Sequence, residues 1–275
     1  MITIRDVHVE RWPVAGAFTI SRGAKTHVDV VLCRVTDGTY EGWGEATPIY
    51  YHGESAEGCA QAIRAFCTSH EGQGLSRGIV HAEMPRGAAR NALDCALWDL
   101  EAQRSRLSVW QLANLPEPRP LATAYTISID SPAKMEQDAK DAAARGFGLL
   151  KCKLGGEGDV ARIAAVRKGA PDVRLIVDAN ESWNTQDITA EAEALAALAV
   201  ELIEQPIRHG EEDRLAGVRS PVPFCADESC QDSADIAVLT DFPVINIKLD
   251  KAGGLTEALK LRDSALAHGK RLMLG

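Results

Sequence analysis

Aromatic residues are scarce in this 275-residue chain, at 5%, and no long apolar run is present. The stretch from Ala190 to Val200 is interrupted by Glu191 and Glu193, so no segment approaches the roughly 20 apolar residues of a membrane span. Basic residues are outnumbered, with 30 Lys+Arg against 39 Asp+Glu and a net charge of -9. Non-specific nucleic-acid or anionic-membrane binding needs the opposite balance, so the expected partner is a small molecule. The seven cysteines (33, 59, 67, 95, 152, 225 and 230) are odd in number and contain no C-x-x-C pair. They read as reduced, mostly buried thiols of a cytoplasmic protein. Met1-Ile2-Thr3-Ile4-Arg5-Asp6 has neither a basic nor an apolar signal region. What is present is an ordinary apolar fraction, 45%, enough for about two domains with a substantial core.

The first ~40 residues alternate as strands, with Asp37-Gly38 as a hairpin signal before Tyr40 to Glu45. Helical stretches follow at Ala56 to Ser69 and Arg86 to Arg104, the second with Leu93, Ala96, Leu97 and Leu100 on one face. The three prolines of Leu115-Pro116-Glu117-Pro118-Arg119-Pro120 forbid helix and central strand, which sets the expected boundary between domains 1–118 and 119–275. Beyond it, seven short apolar runs (Thr123 to Ile129, Leu149 to Lys153, Arg174 to Asp178, Leu202 to Glu204, Phe224 to Asp227, Val244 to Lys248, Arg271 to Leu274) alternate with helix-like segments. Repeated βα units predict a parallel sheet, and seven in unbroken alternation favour a barrel over a doubly wound sheet.

Barrel active sites sit at the C-terminal ends of the strands. There the sequence places Lys151-Cys152-Lys153, Asp178-Ala179-Asn180, Glu204-Gln205-Pro206, Asp227-Glu228-Ser229 and Lys248-Leu249-Asp250-Lys251. Three acids on successive strands, 26 and 23 residues apart, repel unless a cation neutralises them, and an all-oxygen set selects a hard ion such as Mg²⁺. Lys151 and Lys153 point to one side of their strand, so each is expected to lower the other's pKa towards that of a general base. Lys248 stands across the barrel. Two opposed lysines over a Lewis acid suit removal of a proton α to a carboxylate and its return on the other face. Odd spacing from Lys248 is expected to turn Lys251 to the opposite face, and Glu228 should likewise alternate away from the metal.

These motifs, with Lys-Cys-Lys-Leu-Gly-Gly at 151 and Asn-Ile-Lys-Leu-Asp-Lys-Ala-Gly-Gly at 246, resemble the muconate-lactonising-enzyme subgroup of the enolase superfamily, and within it the dipeptide epimerases. The resemblance spans nearly the whole chain. It implies an α+β capping domain over a modified TIM barrel, one Mg²⁺ per subunit on Asp178, Glu204 and Asp227, and Lys153 and Lys248 as the acid/base pair. Lys151 would tune Lys153 and help hold the substrate carboxylate. Arg22, in Ile20-Ser21-Arg22-Gly23, resembles the loop arginine that pairs with a glutamyl side chain, and His52 falls on a second lid loop as a candidate substrate contact. The implied activity is epimerisation of acidic dipeptides of the L-Ala-D/L-Glu type. o-Succinylbenzoate synthesis, N-acyl amino acid racemisation, muconate cycloisomerisation or a non-catalytic role on the same fold stay open, as does a homo-oligomeric state. The family continues into an eighth strand with an Asp-x-Asp motif that binds the dipeptide's ammonium, and then a tail; this sequence ends after the seventh strand signal. Leu121 to Gly275 is 155 residues, against ~250 for a typical complete barrel, so a truncated barrel with an open gap is expected.

Overall fold

The structure, a computed structural model, describes the backbone of residues 1–20 and 23–275, and side chains outside residues 15–25. The N-terminal part opens with an antiparallel meander, β1 (Thr3–Ile20), β2 (Gly23–Thr36) and β3 (Glu41–Ala46), in that order. The β1–β2 register shifts between Pro13 and Phe18, where proline cannot donate to the ladder. The expected hairpin at Asp37-Gly38 forms: the Asp37 carboxylate accepts from the Thr39 and Tyr40 amides, and Gly38 takes φ 97°.

Helices α1 (Ala56–Ser69), α2 (Arg77–Glu83), α3 (Ala88–Ser105) and α4 (Val109–Leu112) follow. Ser55 and Ser76 cap α1 and α2 through their side chains. Helix α2 escapes the sequence reading because seven residues with one buried position, Val80, show no period. Helix α3 buries the expected Leu93, Ala96, Leu97 and Leu100. It lies so close to β3 that a Cβ on Gly44 would stand 1.9 Å from the Ala92 carbonyl oxygen, and one on Gly42 2.1 Å from that of Ala96.

No helix or strand occupies residues 113–124. The second part then runs β4 (Tyr125–Ile127), α5 (Pro132–Ala144), β5 (Leu149–Lys153), α6 (Asp159–Gly169), β6 (Arg174–Asp178), α7 (Ile188–Ala197), β7 (Val200–Glu204) and β8 (Phe224–Ala226). It ends with β9 (Val244–Ile247), α8 (Leu249–Ala252), α9 (Leu255–Ala267) and β10 (Arg271–Leu274). Single 3-10 turns, Glu212–Leu215 and Ser233–Ala237, replace α-helices on either side of β8. All seven strands are parallel and lie in chain order from β4 to β10. A doubly wound sheet would reverse its order at a switch point, so this is a curled sheet of barrel type, with β4 and β10 at its edges. Each part has its own buried core. Among the described residues no helix is long and apolar enough to cross a membrane, and all seven cysteines are free.

Polar side chains of α3 dock the cap onto the barrel. The buried Arg90 guanidinium donates to the carbonyls of Ala252 (2.6 Å) and Gly253 (3.0 Å), groups that the end of α8 leaves without helical partners. Asn91 donates to Asp250, and Asp94 accepts from both the amide and the hydroxyl of Thr256. The helix carrying Lys251 is therefore fixed from the cap side.

Replacing Gly44 by Ala should cost about 3 kcal/mol, the upper part of the overpacking range, because the obstacle is helix backbone. Gly148→Ala, with open space around its Cβ, is the control that should leave the urea midpoint unchanged.

Candidate active site

Parallel register makes the site a row. Lys153 pairs with Asp178 and Asp178 with Glu204, so the last residues of β5, β6 and β7 stand side by side. Asp227 follows the end of β8, and Lys248 the end of β9. All three acids are sealed from solvent, at 0%, 0% and 1% exposure. Lysines face them from both flanks. Lys151 Nζ lies 2.8 Å from Asp178 Oδ2 and 2.5 Å from Glu204 Oε2, Lys153 Nζ 2.7 Å from Asp178 Oδ2, and Lys248 Nζ 2.5 Å from Asp227 Oδ2.

Burial raises the pKa of every acid in the row, but ammonium contacts reverse this for two. Lys151 and Lys153 hold Asp178 below the usual carboxylate range, and Lys251 and Lys248 hold Asp227 far below it. Glu204, in the middle, is pushed up to about 7 by burial and then by the adjacent Asp178 charge, against the pull of Lys151. The expectation that Lys151 and Lys153 would depress each other is corrected for Lys151. Burial lowers its pKa, but Asp178 and Glu204 raise it further and keep the ammonium charged. Lys248 is likewise raised, because Asp227 and Glu204 outweigh its burial.

The placement of Lys251 is also corrected. Strand β9 ends at Ile247 and the chain turns into α8, so strand alternation no longer applies. Lys251 is 2% exposed and its ammonium lies 2.7 Å from Asp227 Oδ1, donating also to the carbonyls of Asp227, Cys230 and Asn246. Glu228 is past the end of β8 for the same reason; it is buried beside the row and accepts from Asn180 Nδ2.

Three supporting residues emerge only in the structure. Gln205 ties β7 to β8: its Oε1 accepts from the Asp227 and Ser229 amides and its Nε2 donates to the Ile207 carbonyl and the Ser229 hydroxyl. Asn246 donates to Glu204 Oε1 at 2.8 Å, and Asn180 accepts from Lys153 at 2.9 Å. The only sequence signal is a place within two positions of a strand-end acid or lysine. His52, on the cap's 3-10 turn Tyr50–His52, accepts at Nε2 from Gln231 Nε2 (2.9 Å), which also donates to the Glu228 carbonyl. Burial lowers the His52 pKa, in keeping with a neutral ring acting as acceptor. His52 thus joins the cap to the loop carrying Glu228. Arg22 lies outside the described residues.

As they stand, no three acid, histidine or cysteine side chains among the described residues are arranged to hold a metal ion. Ammonium groups fill that position. The donor chemistry nonetheless fits a hard cation: three buried carboxylates and no nitrogen or sulfur in the row. Glu204 Oε2 and Asp227 Oδ1, although in ionic contact with lysines, have no aligned hydrogen-bond donor. Asp178, Glu204 and Asp227 would be the ligands.

The chain matches known proteins over nearly its whole length. Residues 134–275 match the enolase C-terminal domain-like family and residues 1–113 the mandelate racemase/muconate lactonizing enzyme N-terminal domain. The chain is 40% identical over 270 residues to L-Ala-D/L-Glu epimerase of Escherichia coli, covering 98% of itself and 84% of that protein. It is 39% identical over 248 residues to N-acetyl-D-glutamate racemase of a Pseudoalteromonas species, covering 90% and 78%. An enolase family member from Agrobacterium tumefaciens with homology to dipeptide epimerases, solved with sodium and L-Ala-L-Glu, superposes with TM-score 0.94 at 45% identity, covering 100% of this chain and 83% of that one. Dipeptide epimerase from Enterococcus faecalis, complexed with Mg and L-Leu-L-Tyr, gives 0.90 at 32% identity, covering 99% and 82%.

Lys251→Met should cost about 3–5 kcal/mol in denaturant unfolding, because it strands the buried Asp227 carboxylate and three carbonyls. Lys251→Arg, which keeps the charge, should recover part of that loss.

Proposed function

The chain belongs to the mandelate racemase/muconate lactonizing enzyme family of the enolase superfamily and is an isomerase of amino-acid derivatives; on that premise we propose that it epimerises acidic dipeptides of the L-Ala-D/L-Glu type. One observation carries the reading: Lys153 and Lys248 flank the Asp178–Glu204–Asp227 row from opposite sides, four strands apart in a curled sheet. A substrate α-carbon above the row would have one amine on each face. Two relatives whose names specify a glutamyl or glutamate substrate favour an acidic side chain, and Arg22 is our candidate for its carboxylate. His52 is the second candidate contact. The free thiols suit the reducing cytoplasm.

Lys153 and Lys248 share one reaction in two directions. One lysine, as the neutral amine, takes the α-proton: the C–H bond breaks, an N–H bond forms, and the electron pair moves into the carboxylate to give an enediolate. The other, as the ammonium, returns a proton on the opposite face. Mg²⁺ on Asp178, Glu204 and Asp227 would supply Lewis-acid stabilisation of the developing charge. Lys151 stays cationic and is placed to pair with the substrate carboxylate. With Asp178 and Asp227 committed to a cation, Lys153 and Lys248 lose the ion pairs they now make with these acids.

A second reading on the same residues is racemisation of an N-acylated glutamate, favoured by the 39% identity to N-acetyl-D-glutamate racemase. Incubation with L-Ala-L-Glu or N-acetyl-D-glutamate and Mg²⁺ in D₂O, followed by mass spectrometry, separates the two. We expect α-deuteration of the dipeptide; exchange of neither compound would reject both. Lys153→Ala and Lys248→Ala should each lower epimerisation by about 10²- to 10⁴-fold, and wild-type turnover in either would exclude the two-base mechanism. Mg²⁺ at a hundred times its dissociation constant should add about 2.7 kcal/mol of stability. Chelation, or Asp178→Asn, should remove that increment in thermal unfolding.

A further inference from the structure

The two lysines are not held alike. Lys248 meets Asp227 at its ammonium, whereas Lys153 has an additional neutral acceptor outside the acid row, the side chain of Asn180. Asn180 is 6% exposed and sits at φ 42°, a left-handed conformation that asparagine tolerates better than most residues. Backbone bonds on both sides fix that turn, from the Ala179 amide to the Glu204 carbonyl (3.0 Å) and from Glu181 to Gln205 (2.9 Å). The Asn180 amide itself donates to Asp178 Oδ1 at 2.9 Å. The side-chain orientation follows from its partners: Oδ1 must face Lys153, which can only donate, and Nδ2 faces Glu228 Oε1 at 3.3 Å. Glu228 in turn belongs to the loop that Gln231 ties to His52 of the cap.

We propose that Asn180, oriented by Glu228, is a positioning residue for Lys153 alone, aiming its nitrogen at one face of the substrate's α-carbon. The inference rests on the two-base reading and adds a directional consequence to it. A defect at Asn180 should slow proton transfer on the Lys153 face and leave the Lys248 face alone, whereas a general structural defect would slow both.

Wash-in of deuterium from D₂O is measured separately for each dipeptide epimer. Lys153→Ala identifies the epimer whose proton Lys153 removes. Asn180→Ala should slow exchange of that epimer about 10- to 100-fold, as expected for a misplaced catalytic group. Exchange of the other epimer and KM should stay near wild type. Glu228→Leu, which removes the acceptor for Nδ2, should shift the same epimer in the same direction, Glu228→Gln less so; it carries the test if Asn180→Ala does not fold. Equal slowing of both epimers, or of neither, overturns the proposal. Crystallography of Asn180→Ala gives a readout independent of any substrate. Lys153 Nζ should leave its present place while Asp178, Glu204 and Asp227 keep theirs, and an unmoved Lys153 overturns the proposal even if the dipeptide proves not to be the substrate. Absence of exchange in the wild type, by contrast, counts against the epimerase reading only.

Discussion

Like charges buried on adjacent strands repel by about 4 kcal/mol per pair at 4 Å and an effective dielectric of ~20. Asp178, Glu204 and Asp227 stand side by side with almost no solvent, so they persist only where cations and rigid supports hold them. Much of the architecture serves that need. Parallel register aligns the row, Gln205 stitches the ends of β7 and β8, and Asn246 steadies Glu204. Lys251 holds Asp227 from α8, a helix whose terminal carbonyls Arg90 of the cap satisfies. Cap docking and site geometry thus meet in α8, four residues long.

The same repulsion explains how the site could work. Lysine ammonium groups stand in for the cation that an all-oxygen triad prefers, and Glu204, the acid least compensated by them, is the one whose pKa rises. A lysine locked to a carboxylate is a poor base. A divalent ion on the acids would compete with those pairs, so binding of the ion and readiness of the amines are linked through the same carboxylates. For Lys151 the two acids within 2.8 Å decide the outcome and keep it charged.

Much of this was legible in the sequence. The barrel alternation, the meander, the buried face of α3 and the juxtaposition of Lys151, Lys153, Asp178, Glu204, Asp227 and Lys248 follow from periodicity and from the rule that strand ends carry the chemistry. The misses share a cause: periodicity stops where the element stops. Strand alternation gives Lys251 a face it does not have, because β9 ends before Lys248, and the short α2 carries no pattern to find. The sign of the Lys151 shift was not legible either, because it depends on distances to two acids that lie 27 and 53 positions away in the chain. The link from His52 to Gln231, 179 residues apart, has no local signature at all.

We infer that the three carboxylates now paired with lysines form a cation site, and anomalous diffraction from crystals soaked in Mn²⁺ would locate the ion. A single strong peak among Asp178, Glu204 and Asp227, with Lys151 Nζ displaced from Glu204 Oε2, is the predicted result. A peak elsewhere, or lysine–carboxylate contacts unchanged at saturating metal, would contradict it.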